Sequence, residues 1–384
     1  MISDKTDRLL ETLAEENALR KRRIVSSPCT VTAEVDGRAM LTFSSNDYLG
    51  LAASPALVQA AAEAAHRWGV GTGGSHVVTG HMQPHDMLEV ALADFVGASR
   101  ALYFSTGYMA NIGIIPALVG RGDAVFSDRL NHASLIDAVV LSRAENVRYR
   151  HNDLDHLASL LKESKAKRKL ILTDAVFSMD GDVAPLPGLL ELAQRHDAWL
   201  VVDDAHGFGV LGYEGRGTLS HFGISPTPRL LYIGTLGKAA GVSGAFVAGA
   251  SNVIEWLLQR ARTYTFTTAS SPVIAATLLK SLELIRTGSL LRAHLFSLIE
   301  RLRMGLSQTR WELMPSPTAI QPVIIGTNEE TLRVAQALTD RGILIPAIRP
   351  PTVPKDSARL RISLSAGHNG EDVDRLTDAL RGVQ

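Results

Sequence analysis

The stretch LLYIGTLGKAAGVSGAFVAG, Leu230 to Gly249, reads as two apolar strands joined by a glycine turn, and its single charge, Lys238, falls in that turn. A solvated loop is the ordinary setting for a lysine. Here the turn is built of small residues, and the nearest charged neighbours along the chain are Arg229 and Glu255. An amine with so little charge and water around it reaches its neutral, nucleophilic form more readily than a surface lysine does.

Working outward, short β-branched or aromatic runs alternate with helical segments from about Arg100: ALYF, AVFS, VRYR, KLILT, WLVVD, LLYI and GAFVAG. Runs that are apolar on both faces and separated by helices predict an α/β fold, with a mostly parallel sheet covered on both sides. Upstream, an amphipathic helix opens the chain, and VTAEVDGRAMLTF alternates with period two around Asp36-Gly37, which predicts a hairpin. Ser54-Pro55 and Gly69 bracket a further helix as N-cap, first-turn proline and C-cap. Beyond Ser271 longer helical stretches lead into IQPVIIG, GILIPAI and RLRISLS and a last helix ending near Arg381, the pattern of a smaller α+β unit. The expected division is 1–45 for the opening helix and hairpin, 46–270 for the large α/β domain and 271–384 for the small domain.

The chain has 384 residues, 46% of them hydrophobic, enough for a substantial core. Lys plus Arg equals Asp plus Glu at 39 each, so no global field favours nucleic acid or an anionic membrane, and a charged ligand must be held locally. One cysteine, Cys29, excludes an intrachain disulfide and a cysteine-built metal cluster. The start has neither the apolar core nor the cleavage site of a signal peptide, and no apolar run is clean enough to span a bilayer. A cytoplasmic protein is expected.

Several motifs fail their context. GVGTGG, Gly69 to Gly74, follows a helix where a dinucleotide fingerprint follows a strand. His81 and His85 have i, i+4 spacing, but Pro84 lies between them and no glutamate follows His81, so they read as unrelated histidines and not as a zinc helix. Thr235-x-x-Lys238 is similar to the Ser-x-x-Lys of acylating hydrolases without the companion elements, and stands as an alternative. The basic groups at Arg20–Arg23 and Lys162–Lys169 read as solvated helix ends, the first being the one placed to meet an anionic substrate.

Two further pieces gain meaning together. In LVVDDAHGFG an apolar strand ends at Asp203-Asp204, with His206 three residues past Asp203, where ligands of open α/β sheets bind. In ALYFSTGYMANIGIIPAL a strand runs through Ser105-Thr106-Gly107 into a helix whose free amides and dipole make a phosphate seat. Either alone is equally a cap or an ordinary turn. A phosphate seat, a strand-end carboxylate and a lone lysine are the parts that pyridoxal 5'-phosphate requires: an amine for its aldehyde, a carboxylate for its ring nitrogen and amides for its phosphate.

On FSSNDYLGL, GTGGSHVVTG, STGYMAN, DRLNHASLIDA, FSMDGDVAPL, VVDDAHGFGVLG, GTLGKAAGVSGA, IRPPTVP and ARLRISLSAGH, the chain resembles over its whole length the α-oxoamine synthases, a family of fold-type I (aspartate aminotransferase-like) pyridoxal phosphate enzymes. The resemblance implies that Lys238 carries the cofactor as an imine and acts as acid and base at the substrate Cα. It also implies that Asp203 pairs with the ring nitrogen, His206 meets the phenolic oxygen and His132 stacks on the ring. Gly107, Tyr108 and Thr235 would hold the phosphate and Ser178 would support the cofactor, while Thr267 and Thr268 would reach the phosphate from the neighbouring subunit of a homodimer with a shared active site. Asn46 and Arg361 would hold an amino acid carboxylate; Arg20 and Thr352 would lie along the acyl donor. Arg349 and the double proline of IRPPTVP favour the branch that condenses L-alanine with a pimeloyl thioester, on CoA or a carrier protein, over members that take acetyl, succinyl or long-chain donors. A non-catalytic module on the same fold is the alternative from a different class.

Overall fold

The computed structural model describes residues 2–15, 19, 22–307 and 309–383. The chain divides into two units, one of Leu51–Ser178 and Asp182–Arg292, the other of Met1–Gly50, Met179–Gly181 and Ala293–Gln384. The smaller unit is therefore assembled from both ends of the chain. Helix Pro272–Thr287, which falls in the expected C-terminal segment, packs on helices Pro55–Trp68 and Gln83–Val96 and so belongs to the larger unit.

In the smaller unit, strands β1 (Thr32–Val35) and β2 (Arg38–Thr42) form the hairpin around Asp36-Gly37, where both turn residues have positive φ. The larger unit contains β3 (Arg100–Phe104), β4 (Ala124–Asp128), β5 (Glu145–Tyr149), β6 (Lys169–Asp174), β7 (Trp199–Asp203), β8 (Leu230–Thr235) and β9 (Ala245–Gly249). These seven match the apolar runs read from the sequence. They form one sheet in the order β3-β9-β8-β7-β6-β4-β5, in which β9 alone runs antiparallel to its neighbours. The doubly buried character of the strands has its cause in the helices. On one face Leu102, Phe104, Val125, Leu172, Val201, Ile233 and Val247 meet Ile114, Ile115, Leu135, Val139, Ile254 and Leu257; each such side chain taken from water contributes roughly 1.5–3 kcal/mol.

Because β8 and β9 are antiparallel neighbours, residues 236–244 form a closed turn at one end of the sheet. Leu236 N donates to Gly244 O at 2.8 Å and Gly241 N to Lys238 O at 2.8 Å. Gly241 has φ +68°, and a Cβ there would lie 2.6 Å from Ala52 N; only glycine fits this bend.

The smaller unit is completed by β10 (Glu312–Leu313), β11 (Ile320–Gly326), β12 (Ile343–Leu344), β13 (Ala347–Ile348) and β14 (Ala358–Ser363). They give a four-stranded sheet β10-β11-β14-β13 and add β12 to the hairpin. Among the described residues no helix is long and apolar enough to cross a membrane.

Candidate functional site

In a parallel sheet the carboxyl ends of the strands and the amino ends of the following helices meet at one edge. Here that edge carries a cavity of about 190 Å³ lined by Gly107, Tyr108, His132, Asp174, Ser178, Asp203, His206, Thr235 and Lys238, among others. Every one of the large unit's sequence-predicted site residues except Thr267 and Thr268 is in this lining.

The phosphate seat follows from β3 running into helix Gly107–Leu118. Thr106 caps that helix, its side chain accepting from Met109 N at 3.1 Å. The amides of Gly107 and Tyr108, in the first turn, have no intrahelical acceptor and carry the positive end of the helix dipole. Thr235 Oγ1 donates to Gly244 O at 3.1 Å.

Asp203 closes β7 and is buried. Its Oδ2 accepts from Asn111 Nδ2 at 2.7 Å and its Oδ1 from Ala205 N at 3.1 Å, which hold the carboxylate in one orientation. Next to it Asp204 accepts from Thr218 N at 2.6 Å, from the Thr218 hydroxyl and from Tyr232 Oη at 2.8 Å. Burial pushes Asp204 up to about 6 against those hydrogen bonds. It fastens the loop after Asp203, which carries His206. Lys238 Nζ then lies 2.7 Å from His206 Nε2.

His132 caps helix Ala133–Ser142, with Nδ1 2.7 Å from Ser134 Oγ. Burial, helped by Lys238 and opposed by Asp203, lowers its pKa, so the ring is neutral near pH 7 and suited to stacking on an aromatic ligand.

The smaller unit holds the other predicted ligand residues. Arg361, on β14, is buried; both its terminal nitrogens lie 3.2 Å from Asn46 Oδ1, and Nη1 is 2.7 Å from Ser363 Oγ. Tyr48 Oη donates to the same Asn46 oxygen at 3.1 Å. A buried guanidinium oriented by neutral oxygens is suited to a carboxylate in two parallel hydrogen bonds. Thr352 is exposed in the loop after Arg349, and Arg20 lies outside the described residues. Thr267 and Thr268 follow the short helix Arg262–Thr265 and do not line the cavity of their own chain.

Sequence reasoning missed Asn111, Asp174 and His151. Asn111 was legible as the one polar residue of the apolar run NIGIIPAL, one helical turn from Gly107. Asp174 follows KLILT as Asp203 follows WLVV. His151 carried no signal, because its partners Asp128 and Asp182 are distant in sequence. His81 and His85, read as unrelated, in fact join His76 in one cluster: the Nδ1 atoms of His76 and His81 are 2.9 Å apart, and His76 stacks on Tyr264 with ring centres 4.5 Å apart. Burial, then His85 and His81, pull His76 down to about 3, so it is a neutral packing group.

The donor set fits pyridoxal phosphate: one amine for an aldehyde, one fixed carboxylate for a ring nitrogen, and helix-start amides for a phosphate, all facing one cavity.

Comparison with known proteins gives the same direction. The family described as Aminotransferase class I and II matches residues 38–380. The chain is 66% identical over 388 aligned positions to an 8-amino-7-oxononanoate synthase of Herminiimonas arsenicoxydans, covering all of both chains. Among solved structures, a serine palmitoyltransferase with its PLP internal aldimine superimposes with a TM-score of 0.93 at 30% identity, over 99% of this chain and 96% of that one. An 8-amino-7-oxononanoate synthase of Francisella tularensis gives 0.78 at 30% identity, over 89% and 97%.

Proposed function

We propose that this chain, which belongs to the aminotransferase class I and II family and within it to the 8-amino-7-oxononanoate synthases, joins L-alanine to a pimeloyl thioester with loss of CO2 and release of the thiol. The product, 8-amino-7-oxononanoate, serves biotin biosynthesis. Its fold is that of the fold-type I enzymes, and its cofactor is pyridoxal phosphate.

The cofactor, when bound, supplies an electron sink that acidifies the Cα–H of the amino acid. Lys238 anchors it and then takes and returns the Cα proton at Nζ. His206, 2.7 Å from that nitrogen, orients the amine. Asp203 keeps the ring nitrogen protonated, and its hydrogen bonds from Asn111 and Ala205 stop the carboxylate from turning away. Gly107, Tyr108 and Thr235 bind the phosphate; His132 covers the ring, and Ser178 supports it. Arg361, steadied by Asn46, binds the alanine carboxylate and so decides which Cα bond is weakened. Arg20 and Thr352 follow the acyl donor, carried on CoA or a carrier protein.

The working form is a cytoplasmic homodimer, in which Thr267 and Thr268 complete the phosphate site of the other subunit. Val70, Val77, Val78 and Phe266 stand exposed on the single chain, which supports a covering second copy.

The observation that carries the residue assignment is the convergence of Lys238, Asp203 and the Gly107–Tyr108 amides on one cavity. Borohydride reduction of the loaded protein, digestion and mass spectrometry test it. A pyridoxyl group on the Lys238 peptide is expected; fully loaded protein modified elsewhere overturns the assignment. Thiol release with alanine across a series of acyl thioesters tests the donor, with the pimeloyl thioester expected to turn over fastest.

A further inference from the structure

Three neighbouring parallel strands end on an aspartate: β4 on Asp128, β6 on Asp174 and β7 on Asp203. All three are buried. Asp174 and Asp203 are register partners across β6 and β7, and both line the Lys238 cavity. Side chains at matched positions of adjacent strands stand on the same face of the sheet, so two carboxyl groups are neighbours in a poorly solvated corner.

The three acids differ in what meets them. Asp128 accepts from the amides of Leu130 and Asn152 at 2.8 and 2.9 Å and lies 3.0 Å from His151 Nδ1. Asp203 has the Asn111 amide and the Ala205 N–H. The side-chain carboxyl of Asp174 has, among the described residues, one hydrogen bond: its Oδ2 accepts from His132 N at 2.7 Å. That single donor sits at the start of helix Ala133–Ser142, on the residue assigned to cover the cofactor ring.

We propose that Asp174 is a positioning residue that holds the proton of the Asp174–Asp203 pair, fixing His132 through its backbone N–H as a neutral acid and leaving Asp203 as the anion for the ring nitrogen. The proposal rests on the reading of Asp203 given above. Two adjacent buried carboxyl groups do not both ionise at low cost, and the proton goes to the one whose charge is less compensated. Burial first, and Asp203 next, raise the Asp174 pKa well above the usual carboxylate range; Asp128 adds to this, while the His132 N–H and Lys238 oppose it. His206, from the loop after β7, also lines the cavity. An amide has the shape of a protonated carboxyl group and keeps an oxygen for His132, so asparagine can stand in for the neutral acid and alanine cannot.

The test uses the full chain with Asp174→Asn, Asp174→Ala and Asp203→Asn, and three readouts. In fluorescence titration of the cofactor-free proteins with pyridoxal phosphate, Asp174→Asn binds within about threefold of wild type, and Asp174→Ala loses roughly tenfold because a buried N–H is orphaned. In urea unfolding of the cofactor-free chains, wild type loses stability relative to Asp174→Asn as pH rises above the ordinary aspartate value of about 4, by at most about tenfold in the unfolding constant per pH unit. The sign follows because the native acid keeps a proton that the unfolded one has released. In deuterated water, alanine Cα–H exchange by loaded Asp203→Asn falls about a hundredfold. The proposal is overturned if Asp174→Asn loses cofactor as Asp174→Ala does, or if the unfolding curves of wild type and Asp174→Asn stay parallel with pH. Unchanged exchange in Asp203→Asn instead overturns the reading of Asp203 on which the pair is assigned.

Discussion

Replacing His151 with glutamine removes a pH-dependent clamp at the carboxyl edge of the large sheet. The imidazole bridges two acids, with Nδ1 3.0 Å from Asp128 Oδ1 and Nε2 2.8 Å from Asp182 Oδ2. Burial pulls its pKa down, but the hydrogen bonds and charges of Asp128 and Asp182 outweigh that and lift it from 6.5 to about 10. Native His151 is therefore cationic across the neutral range, whereas the unfolded side chain is neutral above about pH 6.5. The contribution is whole below about pH 6.5 and lost as pH rises to about 10, because in that window the native state binds the extra proton. At ~1.4 kcal/mol per pH unit the ceiling is ~5 kcal/mol. The His151 side chain is 26% exposed and that of Asp182 is 28% exposed, so solvent screening brings the expected value to ~2 kcal/mol. Urea unfolding of cofactor-free wild type and His151→Gln, at fixed protein concentration and at pH 6, 8 and 10, measures it. The stability gap between the two proteins is expected to shrink by about 2 kcal/mol from pH 6 to pH 10. A gap that stays constant, or widens with pH, refutes the assignment of a cationic bridge.

Thr106→Ala removes the cap whose oxygen accepts from Met109 N, costing about 1 kcal/mol at the helix start that binds phosphate. A roughly fivefold weaker pyridoxal phosphate affinity by fluorescence titration, restored by Thr106→Ser, is the expected result. Arg361→Lys exchanges a planar fork for a point charge, so the KM for alanine rises about tenfold or more while kcat falls less; steady-state kinetics with saturating acyl donor separates the two.

The parts legible in the sequence were those whose signal is local. Lys238 stands out because a charge inside an apolar run has few explanations, and Asp203 because an acid that closes a doubly buried strand, with a histidine three residues on, marks the ligand-binding edge of a parallel sheet. The seven strands of the large sheet were recoverable for the same reason, each being bounded by turn residues. Strand order was not. That β9 runs against its neighbours depends on β3 pairing with it across more than a hundred residues, and no periodicity in GAFVAG carries that information.

The acids show the limit in one comparison. Asp128, Asp174 and Asp203 occupy the same kind of position, the last residue of a central parallel strand, yet the sequence reading singled out Asp203 alone because His206 lay close behind it. What separates the three chemically is the partner each meets in space: His151 for Asp128, Asn111 for Asp203 and a lone backbone N–H for Asp174. Those partners come from other strands and helices, brought to the edge by β-sheet register. An acid's charge in such a corner is set by the donors within hydrogen-bond reach and by its nearest like charge, not by its place in a motif. Motif reading therefore finds the edge where chemistry happens, while the distribution of protons along that edge is a property of the packed fold.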